Sequence, residues 1–308
     1  MIVVFALLAQ SLFIVQRVAQ TRNVVGQVTV QRGGAGEMIA LVEGTPVQNG
    51  DVVRAGAKSS AEFNWQDGTR WKLLANSHLV IQKSLFNSLK KNEVSRLELE
   101  EGQMLVRVVK NLAPDSRFEI KTPTALVYVR GAVFSVNVQG GVTDVHVVKG
   151  RADVSRFETG ETESENSGQK PAFAALESQS AHVSASGVRV SAAKNQREFL
   201  GSTNLLLPAL DVRSRGLEGG ATLIEGRTEM GNRVSINGEN VPLLGNGVFV
   251  KRMKAQSQIT VGTVGGWKIE STDRYGATTT TSVFKSPATV ALAEERKCIA
   301  RTDAVAVL

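Results

Sequence analysis

An all-β fold in two units is what this sequence predicts, and three observations carry the expectation. Short runs rich in valine, isoleucine, threonine and phenylalanine alternate with polar residues at period two, the spacing of half-buried strands. Glycine pairs and Asp-Gly or Asn-Gly steps punctuate those runs, as tight turns require. A length of 308 residues, 42% of them apolar, suffices for two compact domains.

The first stretch does not fit that pattern. Residues 2–15, IVVFALLAQSLFIV, are apolar except for Gln10 and Ser11. Such a run has the length of a signal-peptide core and is short for a membrane span of about 20 residues. No basic residue precedes it. Residues 1–20 are therefore expected to be a signal peptide cut near Val18-Ala19-Gln20, an N-terminal membrane anchor, or the visible part of a longer leader. In each case the folded part lies outside the cytoplasm: periplasmic, secreted or N-terminally membrane-anchored.

Strand character begins at Val24. Val25 to Arg32 alternates and closes on Gly33-Gly34-Ala35-Gly36, read as a flexible turn because no Lys-Ser/Thr follows to make a phosphate loop. Asp67-Gly68 marks a hairpin. A three-residue loop, Gln66-Asp67-Gly68 with Gly68 left-handed, aligns Trp65 with Thr69, Phe63 with Trp71 and Ala61 with Leu73, and so places both tryptophans on the core face. Leu85 to Glu101 reads as a long polar loop in which Lys90, Lys91 and Arg96 are solvated. The hairpin at Gly140-Gly141 has a register fixed by its apolar faces. Val138 should oppose Thr143, Val136 Val145 and Phe134 Val147, leaving Asn137 with Asp144 and Ser135 with His146 on a wet face.

These landmarks resemble the FecR-type periplasmic sensor domain. The resemblance rests on Gly26-x-Val28-x-Val30-x-Arg32, Gly50-Asp51-Val52-Val53-Arg54 with Gly56, Ala61-Glu62-Phe63, Asp67-Gly68-Thr69 and Leu79-x-Ile81. It continues through Glu101-Gly102, Phe118-x-Ile120-x-Thr122-Pro123, Val129-Arg130-Gly131-x-x-Phe134-x-Val136 and Val145-x-Val147-x-Lys149-Gly150-x-Ala152-x-Val154. Ala132 stands where the family usually has threonine. The resemblance covers residues 24–190 and implies a twisted, solenoid-like β domain outside the cytoplasm. In the iron-transport regulators that name the family, a cytoplasmic segment restrains a sigma factor. Within Val129 to Phe134, Gly131 is expected to let the backbone bend or bulge, and Arg130 to satisfy nearby carbonyls or a carboxylate.

Glu158 to Gly168, ETGETESENSG, reads as an exposed loop, and Phe173 to Ser191 as closing strands. Residues 191–216 are expected to connect the units. Residues 217–286 show short strands at regular spacing and an Asn237-Gly238 turn that pairs Val234 with Val241, which suggests a small sandwich. That part resembles bacterial immunoglobulin-like modules, in which Asn237-Gly238 and Asp273 with Gly276 are turn residues. Residues 287–308 form a tail.

Composition limits the chemistry. The net charge is +7, with 19 basic against 13 acidic residues in 1–156, 6 against 7 in 157–216 and 11 against 9 in 217–308. The excess is dispersed among apolar residues rather than clustered, so it reads as a soluble basic surface and not a nucleic-acid interface. A single cysteine, Cys298, excludes a disulfide framework and a cysteine zinc site. His78, His146 and His182 show no ligand spacing. No nucleophile elbow, zincin helix, Walker loop or dinucleotide fingerprint occurs. The expected function is that of a non-enzymatic exported envelope protein without cofactor or metal: the first domain binds an envelope protein or polymer such as peptidoglycan or polysaccharide, and the sandwich acts as spacer. The alternatives are a transmembrane signalling component of the sigma-factor-regulator type and, less favoured, an atypical glycan-active enzyme. No catalytic, cofactor or metal residue is nominated.

Overall fold

The computed structural model describes residues 14–108, 116–156, 173–193, 207–217, 220–254, 266–274 and 276–284. Residues 1–13 of the apolar run, the acidic stretch Glu158 to Gly168, Cys298 and the tail from 287 lie outside them. The described residues are all-β, and the chain divides into two compact units, residues 1–206 and 207–308. Among the described residues, no helix is long and apolar enough to cross a membrane.

The described residues of the first unit form a 16-stranded sheet system. Its early strands are β1 (Ile14–Gln16), β2 (Ala19–Val25), β3 (Val28–Gln31), β4 (Met38–Ala40), β5 (Pro46–Val47), β6 (Val52–Ala55), β7 (Ser60–Asn64), β8 (Arg70–Leu73) and β9 (Ser77–Asn87). Then come β10 (Asn92–Val108), β11 (Arg117–Lys121), β12 (Ala125–Gln139), β13 (Val142–Arg156), β14 (Phe173–Leu176), β15 (Gln179–Ser184) and β16 (Gly187–Ala192). The main path runs β16-β15-β13-β12-β11-β10-β8-β7-β2-β5. Pairing is antiparallel except between β10 and β11, which run parallel.

The β12–β13 hairpin turns on Gly140 and Gly141, at φ 58° and 74°, the left-handed pair that a type I′ turn demands. Phe134 opposes Val147, Val136 opposes Val145 and Val138 opposes Thr143, as the alternation dictates. The same row crosses the sheet through Ala61, Leu73, Met104, Val136, Val145 and Ala181, all at or below 1% exposure. Each large apolar side chain buried in such a row contributes about 1.5–3 kcal/mol. The three-residue turn at Gln66-Asp67-Gly68 also forms, with Gly68 at φ 89° and Phe63 opposite Trp71. Trp65 stacks on Trp71 at 4.8 Å and Trp71 on Phe63 at 4.5 Å, inside the core.

Four expectations need correction. Leu85 to Glu101 is no loop: β9 and β10 continue through it, joined by a short turn after Asn87. Its strand period was hidden because Ser84, Glu93 and Ser95 occupy buried positions. The wet face of the hairpin is covered at its middle, where Ser135 and His146 are buried, because Leu105 and Val133 add apolar surface on that side. Among the described residues the sheet already includes Ile14 to Val25, ahead of the expected residue 24, with β1 pairing β9 and Ala19 buried in β2. Finally, the expected connector contains strands: β16 runs to Ala192, and β17 (Leu210–Gly216) belongs to the second unit.

That second unit adds β18 (Thr222–Thr228), β19 (Arg233–Ile236), β20 (Glu239–Val241), β21 (Val248–Met253), β22 (Gly266–Thr272) and β23 (Thr278–Phe284). One sheet has the order β17-β18-β21 and the other β20-β19-β22-β23. Ile224 and Phe249 from the first meet Val234, Ile236, Val241, Trp267 and Ile269 from the second in one core. Asn237 and Gly238, at φ 49° and 83°, make the turn that pairs Val234 with Val241.

Candidate functional site: a polar groove at the bend of β10

The long strand β10 changes neighbours along its length. Asn92 to Glu101 pairs with β9, whereas Met104 to Arg107 pairs with β8, and the chain between those two strands kinks at Ala75 and Asn76. Asn76 has φ 54° and Gly102, facing it, φ 90°. Ser77 fastens the kink: its Oγ accepts from Gln103 N at 2.8 Å and lies 3.2 Å from the Gln103 carbonyl oxygen.

A groove of about 720 Å³ opens over this bend. Arg54 of β6, His78 of β9, Glu101 and Gln103 of β10, and Asn137 and Gln139 of β12 supply its polar lining, with Asn76 at the kink. Arg54 opposes His78, and Gln103 opposes Asn137. His78 Nδ1 lies 2.7 Å from Glu100 Oε2, while its Nε2 is buried and has no hydrogen-bond partner among the described residues. Arg54 reaches Gln31 Oε1 at 3.3 Å. The lining thus combines one cation, carboxylate and several amides that both donate and accept, a set suited to a polar, hydrogen-bonding ligand. The Ser77 hydroxyl is engaged with backbone groups. Among the described residues, no group of three His, Cys, Asp or Glu side chains is placed to hold a metal ion.

The residues singled out from sequence fall elsewhere. Arg130 is the extra residue of a β-bulge between Val129 and Gly131 in the β12–β13 ladder, so the chain does bulge there. Its guanidinium is exposed and lies 6.0 Å from the Tyr128 ring centroid, with neither carbonyl nor carboxylate contact among the described residues. Lys90 and Lys91 sit exposed at the β9–β10 turn, and Arg96 bonds Glu119 at 2.8 Å. Asp51 of the Gly-Asp motif is buried; it accepts from Gln48 N at 3.0 Å and from Arg32 at 2.5 Å, so that motif organises a turn. Asp273 Oδ1 accepts from Ala277 N at 2.9 Å, a turn role as well.

The three histidines stand apart. His146 Nδ1 meets Ser180 Oγ at 2.8 Å, and burial pushes its imidazole below the ordinary value. His182 Nδ1 lies 2.7 Å from Asp144. Sequence reasoning missed the groove because its residues come from four strands and each is an ordinary polar position in its own alternation. The Glu101-Gly102 step was the one legible trace, since a glycine inside a strand marks a close backbone approach.

Residues 51–153 match the family model described as FecR protein. All twelve groove-lining residues, Arg54 through Gln139, fall inside that span. Comparison with curated proteins gives no match. Two structures of a candidate anti-sigma factor from Parabacteroides distasonis, at 1.65 and 2.50 Å resolution, align at 16% identity over 48% of this chain and 62% of theirs, with a TM-score of 0.36. The chain therefore spans less than two thirds of their length. A polysaccharide lyase aligns at 11% identity over 85% of this chain and 39% of its own, with a TM-score of 0.20. At these scores neither likeness bears on activity.

Proposed function

We propose that the FecR-type domain matched over residues 51–153 is a non-catalytic, extracytoplasmic recognition module, and that it takes a polar envelope partner in the groove over the β10 bend. The observation that carries this reading is the convergence of Arg54, His78, Gln103 and Asn137 from four strands on one open groove within the matched span. Amide and guanidinium groups on strands are held rigidly and offer hydrogen bonds to hydroxyl, amide and carboxylate groups, which peptidoglycan fragments and polysaccharides carry. The second unit serves as an immunoglobulin-like spacer.

The test is calorimetric titration of the full chain with soluble peptidoglycan fragments and with envelope polysaccharides. An Arg54→Ala/Asn137→Ala variant should lose at least about tenfold in affinity, which corresponds to about 1.4 kcal/mol, while keeping its melting temperature. Unchanged affinity in that variant removes the groove from the proposal, and turnover of any of these ligands removes its non-catalytic part. The family match favours one second reading, a signalling component that relays binding across the membrane. A reporter driven by the cognate transcription factor should then respond to the ligand and fall silent in the same variant.

A further inference from the structure

The end of β9 farthest from the groove is built differently. Strand β1 runs antiparallel to β9, with Ile14 opposite Asn87 and Val15 opposite Phe86, so the apolar sequence before Ile14 joins the fold beside the β9–β10 turn. Asn87 Oδ1 accepts from Leu89 N and Lys90 N, both at 3.0 Å, and Lys91 takes φ 51°, which together set the turn. Leu89 at its tip is 70% exposed, and Ile14 and Val15 about half exposed. Lys90 and Lys91 follow Leu89 in the open, and Arg117, exposed at the start of β11, is level with Val94, three residues along the chain from Lys91.

Among the described residues, the carboxylates at this end are engaged with other cations. Glu93 and Asp67 are turned onto Arg17, and Glu119 onto Arg96. Among the described residues the tip is therefore basic and apolar, and uncharged residues 2–13 adjoin it in the chain. A single exposed leucine is commonplace. An exposed leucine followed by two exposed lysines, next to the point where an apolar segment joins, has the composition of a surface that meets lipid headgroups.

We propose that the β9–β10 tip is a membrane-docking surface: Leu89 enters the interfacial region of an anionic phospholipid bilayer, and Lys90, Lys91 and Arg117 lie against its headgroup phosphates. Docking at the tip does not depend on what the groove binds. It does orient the groove, because His78 and Asn87 are nine residues apart along β9, about 30 Å at strand rise. Docked by its tip, the domain presents the groove away from the membrane.

The experiment uses the full chain with vesicles of phosphatidylcholine alone and of phosphatidylcholine containing phosphatidylglycerol. A Leu89→Cys variant in a Cys298→Ser background carries an environment-sensitive fluorophore at the tip. Its emission should shift to the blue and brighten on anionic vesicles and recede as salt is added, since exposed charge is screened. Reversing Lys90 and Lys91 to glutamate should weaken vesicle partition by about fivefold or more for each cation. The control, Lys58→Glu/Arg189→Glu, changes as much charge at exposed positions away from the tip and should partition as the parent does. A fluorophore that stays in water on anionic vesicles, equal responses on neutral and anionic vesicles, or equal losses in the tip and control variants would each overturn the proposal.

Discussion

A Cβ on Gly102 would sit 2.2 Å from Ser77 Oγ and 2.5 Å from the Asn76 carbonyl oxygen, at φ 90°. Backbone cannot yield there as a side chain could, so Gly102→Ala should cost at least about 2 kcal/mol and displace the kink that floors the groove. Urea unfolding would measure the loss, and ligand titration should weaken in parallel. His146 makes a different prediction. Burial lowers the pKa of the folded imidazole, so between that value and the unfolded value near 6.5 the unfolded chain binds more protons. Its contribution to stability is complete above about pH 6.5 and is lost as pH falls below it. Replacement by asparagine, which retains a polar atom for Ser180, should flatten the fall of the urea midpoint between pH 7 and 5 relative to the parent. An equal slope in both proteins would show that His146 does not titrate with unfolding.

At the scale of the elements, Arg17 ties the leading strands to the sheet. It reaches Asp67, comes within 3.3 Å of Glu93 Oε2, donates to Ser95 Oγ at 2.8 Å and lies 4.6 Å from the Trp65 ring centroid, at 11% side-chain exposure. Arg17→Ala would leave Glu93 buried without this partner and should destabilise the first unit by about 3 kcal/mol. A melting temperature within a degree of the parent would contradict this. The same contacts explain what the sequence could and could not convey. Hairpin registers at Gly140-Gly141, Asp67-Gly68 and Asn237-Gly238 were legible, because period-two alternation and turn glycines act over a few residues. The strand from Gln103 was legible too, but the first half of β10 was not, because Glu93 and Ser95 interrupt its inward row, and the Arg17 that compensates them lies some 76 positions earlier in the chain. Likewise the groove depends on which strands become neighbours at the β10 bend, and alternation within a single strand carries no such information.

At the scale of the whole molecule, the described residues form two hydrophobic clusters, one spanning Ala19 to Val183 and the other Ile224 to Ile269. Each unit thus has the means to fold cooperatively by itself, as a recognition module and its spacer would require. In the second unit Phe249 is wholly buried, and Gly226 opposite it leaves the room its ring fills: a Cβ there would lie 2.3 Å from Phe249 Cζ. Phe249→Ala empties that space and should cost about 3–5 kcal/mol. If the units are thermodynamically independent, calorimetry of this variant will move the transition of the second unit to lower temperature and leave that of the first in place. Arg17→Ala should do the reverse. Joint movement of both transitions in both variants would mean that folding is coupled, and the second unit would then be part of the recognition structure rather than a spacer.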